Sequence, residues 1–322
     1  MNPWEGKHIW IWQLNQSGSP EVIVNRAVNL GLAGLLVKGW DGRSYWSQIE
    51  DIIALAHAAG LIIGAWGYSY GTYPQGEAAA AKRCLDAGAD WLIIDAEVEY
   101  EQNPSRAGSV LEAFRVFGVP LGYSSFGIPS YHSKFPWQVF NAACDVVLPQ
   151  VYWGDFAMPV DKALSLSLRD CMQFGIPVMP AGQVYGKVAA DEIVKFADLC
   201  KNAGLPGISY WDWQEAGEVR LEAVGAAEYG KIIDVVSDWA KAGWDKATAK
   251  GFMDGTNPQG VVTREMLAVI LDRCGLLDAA EIPQSAVDTL KKEGIITSGH
   301  QADWRPTWGE LAVVVSKLEV KK

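Results

Sequence analysis

The sequence predicts an α/β protein: a (β/α)8 barrel over residues 1–236, then a small all-α domain over 237–322. Three observations carry this reading. Short apolar runs alternate with helical patterns at steady spacing, as βα units do. Eight such pairs can be counted before the pattern changes. Several of the helical stretches end on glycine, which supplies the left-handed cap that turns the chain back into a strand.

The strands are expected at His8–Leu14, Gly34–Trp40, Leu61–Tyr68, Trp91–Val98, Pro120–Ser125, Val146–Trp153, Pro177–Val184 and Gly207–Trp213. Helices are expected over 20–30, 45–59, 75–88, 105–117, 131–143, 160–174, 189–203 and 219–236. The glycine stops are Ala58-Ala59-Gly60, Asp86-Ala87-Gly88 and Asn202-Ala203-Gly204. Eight strands, each followed by a helix, favour a closed barrel. An open doubly wound sheet would place a glycine-rich loop after the first strand. Here that strand runs into Gln13-Leu14-Asn15-Gln16 instead.

Composition narrows the function. The 322 residues carry a formal net charge of −11, with 49% hydrophobic residues. Nothing supplies the basic face that neutralises phosphates, so nucleic acid and anionic membrane are not expected partners. Fifteen tryptophans exceed what a core of Leu, Val and Ile requires. Pairs such as Trp10 and Trp12, or Trp211 and Trp213, suggest a cleft that stacks on flat apolar faces such as sugar rings. Cys84, Cys144, Cys171, Cys200 and Cys274 form no CxxC and are expected as reduced core residues. The four histidines are unclustered, so neither a metal site nor a cofactor is expected. Met1-Asn2-Pro3-Trp4-Glu5-Gly6-Lys7 lacks the pattern of a signal peptide, and the expectation is a protein held in the cytoplasm until release to a cell wall.

In a barrel, chemistry sits at the C-terminal ends of the strands. The fourth strand reads Trp91-Leu92-Ile93-Ile94-Asp95-Ala96-Glu97. Side chains two apart on a strand share a face, so Asp95 and Glu97 should project together into the barrel mouth. Like charges held close cannot both ionise easily, and the pKa that rises suits a general acid. Other strand ends supply a polar and aromatic ring. Its expected members are Trp12, Lys38, Trp40, Trp66, Tyr68, Tyr123, Gln150, Tyr152, Trp153, Gln183, Trp211 and Asp212. Ser125, Asp155 and Tyr185 stand nearby, whereas Glu99 and Glu101 read as solvated loop charges.

The barrel and its fourth strand resemble two glycosidase families acting on N-acetylated sugars. Glycoside hydrolase family 25, the barrel lysozymes, has Asp-x-Glu at this place, as in Asp95-Ala96-Glu97. Family 18, the chitinases, has Asp-x-x-Asp-x-Asp-x-Glu, and this chain has Ile93 at the third position counted back from Glu97 by twos. Family 25 also has an acid at the end of strand one, where Trp12 and Gln13 stand here, and an Asp near strand eight, where Asp212 could serve. The resemblance implies Glu97 as proton donor to the leaving sugar oxygen. It implies Asp95 as its helper, steadying a 2-acetamido group or an oxocarbenium-like centre.

The tail contains two similar units. Trp244 to Phe252 leads to Val262-Thr263-Arg264-Glu265, and Val287 to Ile295 leads to Pro306-Thr307-Trp308-Gly309. They resemble S-layer homology repeats, with Thr263-Arg264 matching the start of the second helix and Trp308 replacing the Arg in the second copy. That resemblance implies binding of a cell-wall polymer. Together the features suggest a peptidoglycan glycosidase of the phage endolysin type. A chitinase-like N-acetylglucosaminidase and a non-catalytic carbohydrate-binding barrel remain open.

Overall fold

The structure is a computed structural model that describes residues 2–229 and isolated positions at 241, 244, 245, 248 and 249. The chain divides into two compact units, Met1–Lys231 and Ile232–Lys322. Apart from those isolated positions, the segment 237–322 and its two expected repeats lie outside the described residues, as does Cys274.

In the first unit, eight parallel strands close on themselves. They are β1 (Gly6–Ile11), β2 (Gly34–Asp41), β3 (Ile62–Ser69), β4 (Trp91–Ala96), β5 (Leu121–Phe126), β6 (Val146–Val151), β7 (Ala181–Gln183) and β8 (Gly207–Trp211). Each pairs in parallel with the next. β8 then returns to β1, with Gly6 opposite Gly207 and Ile9 opposite Tyr210, so the parallel sheet closes into a ring. A two-residue antiparallel spur, Ser44–Tyr45, folds back on the end of β2. The helices between and after the strands are α1 (Pro20–Asn29), α2 (Glu50–Ala58), α3 (Pro74–Ala87), α4 (Pro104–Arg115), α5 (Trp137–Ala143), α6 (Val160–Cys171), α7 (Ala190–Asn202) and α8 (Trp213–Ala226). The architecture is the (β/α)8 barrel read from the sequence.

Local chemistry explains the element ends. Ser19 accepts from the Val22 N–H, with Pro20 in the first turn of α1. Asn103 and Pro104 repeat the arrangement at α4. The expected stop at Gly88 is a left-handed cap with φ 113°, and its N–H returns to the α3 carbonyls of Cys84 and Leu85. β7 is shorter than expected because Pro177 and Pro180 cannot donate to a ladder; only an isolated bridge joins Val147 to Val178. α8 begins six residues before the expected start, since Asp212 caps it, and the φ of 64° at Gly217 breaks the helical pattern that the sequence shows. Lys7 closes the seam between the chain's two ends of the barrel. Its Nζ donates to the carbonyls of Val224 at 2.6 Å and Ala227 at 2.8 Å, just where α8 ends.

Strand alternation sorts side chains into two cores. Trp10, Leu36, Trp66, Trp91, Ile93 and Leu148 fill the barrel interior. Ile9, Val37, Ala65, Ile94, Val147 and Ile208 face the helices. This sorting corrects three expected cleft residues. Trp40 is fully buried on the helix side, against Phe114. A bulge at Gly39 shifts the β2 register between Lys38 and Trp40, so the two face opposite ways despite their spacing. Gly67 on β3 makes the space, since a Cβ there would overlap the Trp40 ring. Tyr123 belongs to the outward phase of β5. It packs on Phe140 and donates its hydroxyl to Asn141 at 2.5 Å. Trp153 follows the inward Tyr152 and therefore turns outward, stacking on Phe196 with centroids 5.4 Å apart. Ser125 is likewise buried on the helix side. The four described cysteines are free and buried.

Candidate active site

The acidic pair stands where the sequence places it, at the C-terminal end of β4. Trp91 and Ile93 point inward, so Asp95 does too. Glu97 is the first residue beyond the strand, ahead of a short 3-10 turn over Val98–Tyr100. Asp95 is 8% exposed, while Glu97 is half-buried. Burial holds the Asp95 carboxyl well above the usual range, and the Glu97 charge pushes it in the same direction. Lys38 and a hydrogen bond from Gln150 oppose that rise.

One amide ties the pair together. Gln150 Nε2, on β6, lies 2.9 Å from Glu97 Oε1 and 3.2 Å from Asp95 Oδ1, with Ser124 Oγ of β5 at 3.4 Å. An amide nitrogen carries two hydrogens, so it can serve both carboxylates at once. Two carboxylate oxygens gathered on one nitrogen are near neighbours, and the Glu97 charge adds to burial in making Asp95 hold its proton. Tyr152, the first residue past β6, reaches the same mouth. Its hydroxyl is held well above its ordinary pKa by burial, reinforced by the charges of Asp95, Tyr185, Glu97 and Asp212.

Beneath the pair lies an indole floor. Trp10, Trp66 and Trp211 meet edge to face, with centroids 5.2–5.6 Å apart. Trp10 Nε1 donates to Ser209 Oγ at 2.9 Å and Trp66 Nε1 to the Ile11 carbonyl at 3.2 Å, which fixes both rings. Lys38 rises beside them. Its Nζ lies 4.6 Å from the Trp46 ring centre, 5.0 Å from Trp66 and 5.7 Å from Trp12, and 2.7 Å from Asp41 Oδ2. Three indole faces and a carboxylate hold this buried side chain in place. Removing it by Lys38→Met takes away the one cause named above that favours the anionic pair through charge. Asp95 then holds its proton to higher pH, and the alkaline limb of the pH–rate profile should move up. An unmoved limb would show that Lys38 does not act on the pair.

Two further groups frame the mouth. Tyr68 on β3 donates to Glu99 Oε2 at 2.8 Å, so Glu99 is part of the site wall and not a free loop charge. Glu101 contacts His132 Nδ1 at 3.2 Å. On the opposite lip, Gln183 of β7 is buried, accepts from the Gly154 N–H at 2.8 Å and donates to Asp155 Oδ1 at 3.1 Å. Tyr185 also donates to Asp155 and packs edge to face on Tyr152.

Asp212 has a different place from the one expected. It is 1% exposed and its Oδ1 accepts from the Glu215 N–H at 3.2 Å, capping α8. Its Oδ2 has no hydrogen-bond partner. Burial pushes this carboxyl up to about 7. Trp12 is 37% exposed at the rim, beside Lys38. The sequence reading missed Ser124, because it followed the aromatic phase of β5, and Trp46, which falls in the first turn of the helix expected over 45–59 but lies ahead of that helix, whose start is Glu50. Among the described residues, no group of three or more His, Cys, Asp and Glu side chains is arranged to hold a metal ion.

The site therefore belongs to a class of (β/α)8 barrels with an acidic pair at the end of the fourth strand. No family model and no curated protein matches the chain. Solved structures match it in fold. A chitinase from Chromobacterium violaceum aligns with a TM-score of 0.56 at 11% identity, over 70% of this chain and 99% of that one. The spore cortex-lytic enzyme SleL of Bacillus megaterium aligns at 0.51 and 8% identity, over 68% and 73%. The endoglucanase Cel5A of Pseudomonas stutzeri aligns at 0.51 and 12%, over 69% and 93%. At such identities the likeness is one of fold, shared with barrels of glycoside hydrolases. The family 25 and S-layer resemblances gain no support from these matches.

Proposed function

We propose that this chain is a glycoside hydrolase that cuts the glycan strands of bacterial peptidoglycan. The observation that carries the reading is the acidic pair Asp95 and Glu97, held by the single amide of Gln150 at the mouth of a closed barrel. Glu97, the more exposed member, protonates the leaving sugar oxygen. Asp95, buried and beside Tyr152, steadies the substrate's 2-acetamido group. The acetamide oxygen bonds to the anomeric carbon as the bond to the leaving oxygen breaks. Water then attacks that carbon and returns a proton to Glu97. Trp211, the partly exposed member of the indole floor, stacks on the sugar ring. In this reading the segment 237–322 binds a cell-wall polymer, and the protein stays in the cytoplasm until it gains access to the wall, as a phage lytic enzyme does.

A second reading is a chitinase-like enzyme acting on soluble N-acetylated oligosaccharides. The chitinase of similar fold and the buried, proton-holding Asp95 favour it. Parallel digestion of purified peptidoglycan and of N-acetylglucosamine oligomers separates the two. Faster release of reducing ends from peptidoglycan is expected. Turnover confined to the oligomers would replace the first reading with the second. Glycan binding with no turnover at any pH would leave only a carbohydrate-binding barrel.

A further inference from the structure

Beside the mouth, on the lip built by the connections after β1 and β2, runs an open groove of about 830 Å3. Gln13, Leu14, Asn15, Trp46, Gln48 and Asp51 are among the residues that line it. It shares a wall with the acidic site, because Trp46 is also the ring nearest the Lys38 ammonium, which itself lies over Trp66 of the floor.

That wall is pre-formed. Gln48 Nε2 donates to the carbonyls of Trp12 and Lys38, each at 2.8 Å, and its Oε1 accepts from the Leu14 N–H at 2.9 Å. One side chain thus ties the end of β1, the one-turn helix Leu14–Ser17 and β2 together. The Gln13 N–H is fixed in turn by Gln214 Oε1 at 2.7 Å. A groove whose rim is already ordered loses little entropy on binding.

The lining selects a ligand class. It offers amides, the Ser47 hydroxyl and one indole, with a single carboxylate at Asp51 and no lysine or arginine. A phosphate or polyanion would meet no cation. A purely apolar ligand would strand the amides of Asn15 and Gln13. A neutral, hydroxyl-rich chain with one flat face satisfies both the amides and the indole. We infer that this groove binds the continuation of the glycan: neutral sugar units beyond the bond being cut, with one ring stacked on Trp46.

The inference rests on the glycoside hydrolase reading, and its test keeps the two apart. Full-length protein is assayed on short and long N-acetylglucosamine oligomers, as wild type, Trp46→Ala and Asn15→Trp. The first variant removes the stacking face, and the second fills the groove from an exposed position that does not touch Lys38. The advantage in kcat/KM of long over short oligomers should fall about tenfold in both variants, the worth of one stacked ring, with short-oligomer turnover kept by Asn15→Trp. An unchanged ratio in both variants would overturn the groove and leave the glycosidase standing. If wild type cleaves no oligomer, the glycosidase reading fails on these substrates, and calorimetric affinity decides the groove. Long oligomers binding more tightly than short ones only in wild type supports it. Equal affinities across the three proteins overturn it.

Discussion

Glu97→Gln should lower kcat on glycan by a factor on the order of 10²–10⁴, the contribution of a positioned general acid. The fold should survive the change. Glu97 lies beyond the end of β4 and is only half-buried, and glutamine keeps an Oε1 that Gln150 can reach. Loss of stability should therefore stay below about 1 kcal/mol. A second consequence distinguishes this variant from a merely damaged site. The Glu97 charge is one of the causes that raise Asp95, so its removal lets the Asp95 carboxyl fall toward its ordinary range. NMR titration of the Asp95 carboxyl should show its midpoint lower in the variant. A variant that retains wild-type turnover would remove Glu97 from the mechanism.

Asp212→Asn should raise stability in alkaline solution and leave it unchanged in acid. The folded protein holds the Asp212 proton up to about pH 7, whereas an unfolded aspartate releases it near its ordinary value of about 3.9. The folded state therefore binds the proton more tightly. Its contribution is fully present below the unfolded pKa and is lost as pH rises through the folded one. By pH 8.5 the charged carboxylate costs about 4 kcal/mol. Asparagine keeps an acceptor for the Glu215 N–H and carries no charge at any pH. Thermal melts of wild type and variant at pH 4 and pH 8.5 should coincide at the lower pH and separate by several degrees at the higher. Parallel curves at both would show that Asp212 is solvated when charged. The effect bears on function because this buried acid sits at the end of β8, where Tyr152 senses its charge.

Much of the site was legible wherever strand periodicity ran undisturbed. The run Trp91 to Ala96 is buried throughout, and its period of two places Asp95 inward with Glu97 following it. The same rule placed Gln150 and Tyr152, whose backbone phase continues that of Val146 and Leu148. It failed where something invisible in the alternation intervened. At β2 the extra residue Gly39 reverses the phase, and Trp40 leaves the cleft for the helix layer. At β5 the sequence Gly-Tyr-Ser-Ser-Phe admits two phases, and its aromatic member suggested the wrong one. Gly122 must face inward, because a Cβ there would press on the Trp91 ring and Leu148, and this sends Tyr123 outward. Asp212 shows a different limit. Its identity as an acid at the end of strand eight was visible, but its use as a helix cap depended on the early start of α8. Trp46 and Gln48, just before and within the 3-10 turn Ser47–Ile49, fall in the helix expected over 45–59, and their contacts with Lys38 and Trp12 span two connections that helical periodicity does not relate.

The proposal at the centre of this account is that the Asp95–Glu97 pair hydrolyses a glycosidic bond. Digestion of purified peptidoglycan in water enriched in the heavy oxygen isotope tests it most directly, with mass analysis of the fragments. Hydrolysis predicts fragments that end in a new reducing sugar, each carrying one heavy oxygen on its anomeric carbon, and none from Glu97→Gln. Intact glycan strands, or label found only in stem peptides, would contradict it.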